Sequence, residues 1–211
     1  MTSRRKWALV PGFVALAGAV ALLSAYSGAS SSQNFAPEQP IAFPHPVHVQ
    51  TLGMNCLYCH FSANKSPDPG MPAVSTCMGC HTIVGPDRPA IPGVRTAPAK
   101  SAEIQKLHNY WKGGAGQPVP WVRIHKVPEY VHFPHMRHVN AGVACQSCHG
   151  QVQQMARVYQ ASSLNMGWCV NCHVNGYKPA DAVSNTGGTP TPQDLALPPR
   201  KARYDCTACH Y

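Results

Sequence analysis

Five times in 211 residues the chain repeats Cys-x-x-Cys-His: Cys56/Cys59/His60, Cys77/Cys80/His81, Cys145/Cys148/His149, Cys169/Cys172/His173 and Cys206/Cys209/His210. No other feature constrains the fold as much. The spacing is that of c-type haem attachment. Two thiols add to the two vinyl groups along one edge of a porphyrin, and the next imidazole lies beneath the ring, where its neutral form binds iron. All ten cysteines fall inside these motifs, so none is left for a disulfide or a nucleophile. With His at 12 of 211 positions, chance would follow five such pairs with His at odds on the order of one in a million. Zinc knuckles gather four ligands from two half-sites and have no use for a His after every second Cys. The expected cofactors are therefore five covalent haem c groups.

Arg4-Arg5-Lys6 precedes an uncharged run from Trp7 to Tyr26, a pattern that means export. As a helix, these 20 residues span about 30 Å, enough to cross a membrane, whereas a signal-peptide core usually runs about 7 to 15 residues. A retained anchor is thus preferred over a cleaved signal. Against it stand Ser27-Gly28-Ala29, a passable cleavage site, and Pro11-Gly12, which could shorten the helix. No Cys follows the run until Cys56, which removes lipoprotein processing. Ser3 to Trp7 faintly resembles a twin-arginine signal, but c-type haem is attached to unfolded chain after translocation, so an ordinary basic flank is preferred. The positive-inside rule keeps the N-terminus cytoplasmic and puts residues 27–211 on the periplasmic or outer face of the cell membrane.

That exported part has 185 residues, or 37 per haem, too few for a conventional side-chain core. The haems should be the core. With 21 prolines and 17 glycines, the expected fold is a multihaem cytochrome c, mostly loops with short α-helices wrapped around five haems, little sheet, and one N-terminal transmembrane helix. The formal charge of +9 does not indicate nucleic acid. Three cations lie in the cytoplasmic flank, and ten haem propionates would more than offset the remaining excess; no aromatic-interleaved basic cluster is present. The run Arg200-Lys201-Ala202-Arg203 reads as a solvated charge cluster, with propionate pairing or docking as alternatives.

The motifs are grouped. Phe43-Pro44-His45-Pro46-Val47-His48 precedes Cys56 and then Cys77; Phe133-Pro134-His135-Met136-Arg137-His138 precedes Cys145 and then Cys169. One unit, FPHxxH followed by two haem motifs, is therefore written twice, with a fifth haem appended. The expected organisation is a basic flank (1–6), an anchor (7–26), a linker (27–42), a first two-haem unit (43–82), a joining region (83–132), a second two-haem unit (133–174) and a fifth-haem segment (175–211). Within the joining region, Ser101 to Lys112 reads as a helix with Ile104, Leu107, His108 and Trp111 on one face.

Five proximal histidines, His60, His81, His149, His173 and His210, leave five distal iron positions to fill. The FPHxxH stretches resemble those of the class III multihaem cytochromes c, in which FxHxxH ahead of the first CxxCH supplies distal ligands to two haems. That resemblance implies that His45 caps the haem of His60 and His135 that of His149, while His48 and His138 reach to other haems. The fifth position is contested. Met155 falls in a helix expected over Gln151 to Leu164, with Val152, Met155, Ala156 and Tyr159 at helical spacing, and could cap the haem of His173. His125 is its rival. His132 reads as structural and His108 as a helix-face residue.

Catalytic multihaem cytochromes keep an iron open, whereas here distal candidates exceed the irons. The reading is electron conduction by five low-spin haems, without catalysis by the chain itself. The anchor, both FPHxxH stretches, Trp121 to Val131, and Met155 followed by Leu164-Asn-Met166-Gly-Trp168-Cys169 resemble the pentahaem subunit of alternative complex III, a membrane quinol-oxidising complex. That resemblance implies membrane and iron-sulfur subunits as partners that supply electrons. The acceptor it implies is periplasmic: a monohaem cytochrome c, a copper protein or an oxidase. A membrane-tethered shuttle for another respiratory reductase is the alternative, and a catalytic multihaem oxidoreductase the third reading.

Overall fold

A computed structural model describes residues 3–26, 32–90, 98–114, 116–177 and 201–211. Ser27 to Ala29, Arg200 and most of the 175–211 segment's first half lie outside the described residues.

The N-terminal run forms one helix, α1 (Ser3–Tyr26), which continues through Pro11. Side chains are described for residues 10–23 of it, and Phe13, Val14, Leu16, Val20, Leu22 and Leu23 are all exposed. Among the described residues, no helix is long and apolar enough to cross a membrane.

The remaining helices are short, and most are the haem motifs themselves: α2 (Cys56–Cys59), α3 (Val74–His81), α6 (Cys145–His149) and α7 (Met166–Asn175). The fifth motif is a 3-10 turn, Cys206–Ala208. A helical turn is what the motif needs, because residues three apart share a face and both thiols must reach one porphyrin edge. Local capping starts these turns. The Asn55 side chain accepts from the Leu57 N–H at 2.8 Å, and Asn165 accepts from the Trp168 N–H at 2.7 Å, each satisfying an orphan helix donor. The expected joining helix is present as α4 (Ala102–Trp111), capped by Ser101.

Sheet is minimal. Among the described residues the strands are β1 (Asp87–Arg88) and β2 (Ala99–Lys100), paired antiparallel, with one isolated bridge between Val131 and His210.

Among the described residues seven hydrophobic side chains are buried, far fewer than a chain of this size needs if side chains alone form its interior. Four of them, Ile41, Val74, Met78 and Leu107, make one cluster that Trp111 and Trp121 flank. It joins α3 to α4. Elsewhere, the elements surround histidines and cysteines.

The helix expected over Gln151 to Leu164 does not form. A 3-10 turn, Val152–Gln154, gives way to extended backbone at Met155 (φ −88°, ψ 112°), and Leu164 takes a left-handed φ of 54°. The apolar spacing is helical, but the backbone polar groups pair elsewhere. The Gln160 N–H donates to the Phe35 carbonyl at 3.2 Å, and the Asn34 N–H to the Gln160 carbonyl at 2.8 Å. Those strand-like bonds to a distant segment displace the helical ones.

Candidate haem-binding site

The two FPHxxH stretches fold alike. In the first, a π-helical turn, Pro46–Thr51, follows His45; in the second, α5 (His135–Asn140) begins at the corresponding His. Phe43 stacks on His48 with ring centres 4.3 Å apart at 26° and meets His45 edge-on at 4.8 Å. Phe133 stacks on His138 at 4.4 Å and 26° and meets His135 edge-on at 4.9 Å. The phenyl ring therefore fixes both imidazoles of each pair and turns them in different directions. The Nδ1 of His48 donates to the Pro44 carbonyl at 3.0 Å and that of His138 to the Pro134 carbonyl at 3.2 Å. With the proton held on Nδ1, Nε2 is the nitrogen left for a metal.

These imidazoles face the motif histidines across a constant gap. The ring centres of His48 and His81 lie 6.1 Å apart, those of His138 and His173 6.1 Å, and those of His135 and His149 6.4 Å. An iron between two imidazoles requires roughly 6 Å, from about 2 Å for each metal–nitrogen bond and about 1 Å from each nitrogen to its ring centre. His45 lies close enough to His60 and His48 to feel both electrostatically. The gaps fit metal bonds and are too wide for a direct hydrogen bond between the rings.

The motif histidines are tethered through the same nitrogen. Nδ1 of His60 donates to the Gly70 carbonyl at 3.0 Å, that of His81 to the Val84 carbonyl at 2.9 Å, and that of His173 to the Arg203 carbonyl. Burial lowers the pKa of His45 to about 4, helped by His60 and His48, and that of His149 to about 3, helped by His125, His135 and His60. Both are neutral at physiological pH, the state in which imidazole binds metal. Among the described residues, no group of three or more His, Cys, Asp or Glu side chains could hold a bare ion. Ligands that face each other in twos suit an iron whose other four bonds a porphyrin supplies.

The two units interlock. The His135 N–H donates to the Pro67 carbonyl at 3.1 Å and the Met136 N–H to the Ser66 carbonyl at 3.2 Å. Nδ1 of His135 also bonds Pro67 at 2.9 Å, and the Asn140 amide donates to the Asn64 carbonyl at 3.1 Å. The second FPHxxH stretch thus sits behind the first haem motif. Reciprocally, the Pro46–Thr51 turn packs on Val152–Gln154, behind the third motif.

The thiols trace the resulting order. Cys77 has Cys59 as a near neighbour. Cys56 lies within hydrogen-bonding reach of Cys145. Cys148 lies near Cys172 and Cys169, and Cys169 near Cys209. In space the motifs run second, first, third, fourth, fifth. The last docks by an Ala202 N–H to His173 carbonyl bond of 3.3 Å and a His132 N–H to Cys209 carbonyl bond of 2.7 Å.

The other candidates are placed differently. Met155 is buried, and its methyl group lies 3.0 Å from where a Cβ on Gly150 would stand. It packs beside the third motif, and the helix that was to carry it to the fourth is absent, while His138 occupies the place facing His173. His125 lies with its Nε2 3.3 Å from Nδ1 of His149. His108 bonds the His81 carbonyl at 2.9 Å, His132 meets the Tyr211 hydroxyl at 3.3 Å, and His210 has the Tyr130 ring at 5.6 Å.

Residues 137–211 match the cytochrome c3 family. The multihaem cytochrome c subunit of menaquinone reductase from Nitratidesulfovibrio vulgaris (strain Hildenborough) is 27% identical over 159 residues, covering 65% of this chain and 69% of that protein. The chain is a multihaem cytochrome c. The family match covers three of the five motifs of this cytochrome, and the interlock ties it to the first unit. The His149–His125 contact was beyond sequence reasoning, which had the residue but no signal for its partner.

Proposed function

We propose that this cytochrome carries five covalent haems and serves as the electron-transfer subunit of a quinone-linked membrane complex. Cys56 and Cys59, Cys77 and Cys80, Cys145 and Cys148, Cys169 and Cys172, and Cys206 and Cys209 hold the porphyrins. His45 pairs with His60, His48 with His81, His135 with His149 and His138 with His173 as axial ligands; His210 is the proximal ligand of the fifth. Bound haem supplies one-electron redox chemistry. The chain's own part is to keep His45 and His149 neutral by burial and to tether Nδ1 of His48, His60, His81, His135, His138 and His173 to backbone carbonyls, which leaves Nε2 of each for iron. The observation that carries this reading is that three motif histidines, His81, His149 and His173, face opposing imidazoles across 6.1–6.4 Å, which favours conduction over substrate binding at those irons. Met155 is a packing residue.

The uncharged run and the exposed apolar side chains of α1 support a membrane anchor, with the remainder of the chain on the periplasmic side. As in alternative complex III, electrons pass from quinol through membrane and iron-sulfur subunits to a periplasmic acceptor. The likeness to a subunit of a menaquinone reductase favours a second reading, in which the same haems deliver electrons toward menaquinone. Mild extraction of membranes tests both. The cytochrome should co-migrate with large membrane subunits, and quinol or menaquinone added to that fraction should respectively reduce or oxidise its haems. Recovery as a lone monomer that neither reagent affects would overturn the proposal.

A further inference from the structure

Three of the motif histidines, His60, His81 and His173, donate Nδ1–H to a backbone carbonyl. His149 is built differently. Its Nδ1 lies 3.3 Å from Nε2 of His125, with the rings edge-on at 72° and their centres 4.3 Å apart. His149 also faces His135 across 6.4 Å at an interplanar angle of 17°. His149 therefore has two imidazole neighbours, one across a narrow gap and one across a wide one.

The narrow gap cannot hold iron, because two imidazoles bridged by a metal need centres roughly 6 Å apart. It suits a hydrogen bond, since Nδ1 of His149 and Nε2 of His125 are 3.3 Å apart, within reach of an N–H on one ring and the acceptor nitrogen of the other. If Nε2 of His149 binds iron, its proton must be on Nδ1, so His149 donates and His125 accepts. That leaves the proton of neutral His125 on its own Nδ1. The loop is held in place, since the Arg123 Nε donates to the His125 carbonyl at 3.1 Å.

We propose that His125 is a positioning residue for the haem of the third motif: its Nε2 accepts the Nδ1–H of His149 and sets the orientation and basicity of that proximal ligand. This rests on the reading of His149 as a proximal ligand. A ring-nitrogen acceptor draws the proton away from His149, makes it a more anionic ligand and favours ferric iron. The third haem therefore differs from those whose proximal histidines are tethered to carbonyls.

His125→Ala and His125→Gln in the full-length cytochrome provide the test, read by electron paramagnetic resonance and potentiometry. In His125→Ala the number of low-spin haems should stay the same, while one midpoint potential rises and one low-spin signal changes its g-values. His125→Gln, which restores an acceptor oxygen, should reverse part of that shift. A new high-spin haem in His125→Ala would make His125 a distal ligand and overturn the proposal, as would unchanged potentials and signals. Should both variants lose haem, ¹⁵N-histidine spectra of the reduced wild type decide: His125 should show no iron-bound nitrogen, and an iron-bound nitrogen there refutes the assignment. Failure of the underlying reading looks different, since wild-type protein would then lack haem on the third motif altogether.

Discussion

Replacing His138 with Ala removes an imidazole held by three things at once. Phe133 stacks on it at 4.4 Å, its Nδ1 is tied to Pro134 at 3.2 Å, and its ring centre lies 6.1 Å from that of His173. The stack is worth about 0.5–1.5 kcal/mol and the hydrogen bond about 0.5–1.5 kcal/mol. Apart from the metal bond, the variant should thus lose about 1–3 kcal/mol of stability. Its larger signature is spectroscopic. With the distal face opened, the ferric protein should gain one high-spin haem per chain over wild type, and added imidazole should return that haem to low spin by occupying the vacated position. His132→Ala, which alters a residue bonded to Tyr211, serves as the control and should leave the spin states alone. If His138→Ala keeps every haem in its wild-type spin state, the six-ångström pairs are not axial pairs and the ligand assignment fails with them.

Two other variants separate packing from ligation. Met155→Ala should cost about 2–5 kcal/mol, as expected for truncating a buried Met, yet change no spin state; a new high-spin haem would make Met155 a ligand. Gly150→Ala should also destabilise the protein, because Gly150 has φ +70° and a Cβ there would come within 2.7 Å of the Ala161 Cβ and 3.0 Å of the Met155 methyl. Thermal unfolding of the holoprotein checks this, with an unchanged midpoint as the contrary result.

Motif positions and the duplicated FPHxxH stretch were legible because their chemistry is local. Two thiols three residues apart require a helical turn, and a Phe two residues before a His can stack on the His three further along. The α4 helix was legible for the same reason, from its apolar face, and the structure adds the Ser101 cap. What failed was the helix over Gln151 to Leu164, where periodicity was right but Gln160 found its backbone partner in Phe35, more than a hundred residues away. The role of His125 was hidden in the same way, since only the fold brings it to His149. Long-range pairing also decides that Pro67 of one unit orients His135 of the other, and that the motifs meet in an order different from their order along the chain.

Conduction along this chain depends on the number of haems and on their covalent attachment. Intact mass spectrometry of the denatured, full-length cytochrome, with a pyridine haemochrome assay on the same sample, measures both directly. Five haems should remain bound to each chain after denaturation. Fewer than five, or haem released on denaturation, would contradict the account.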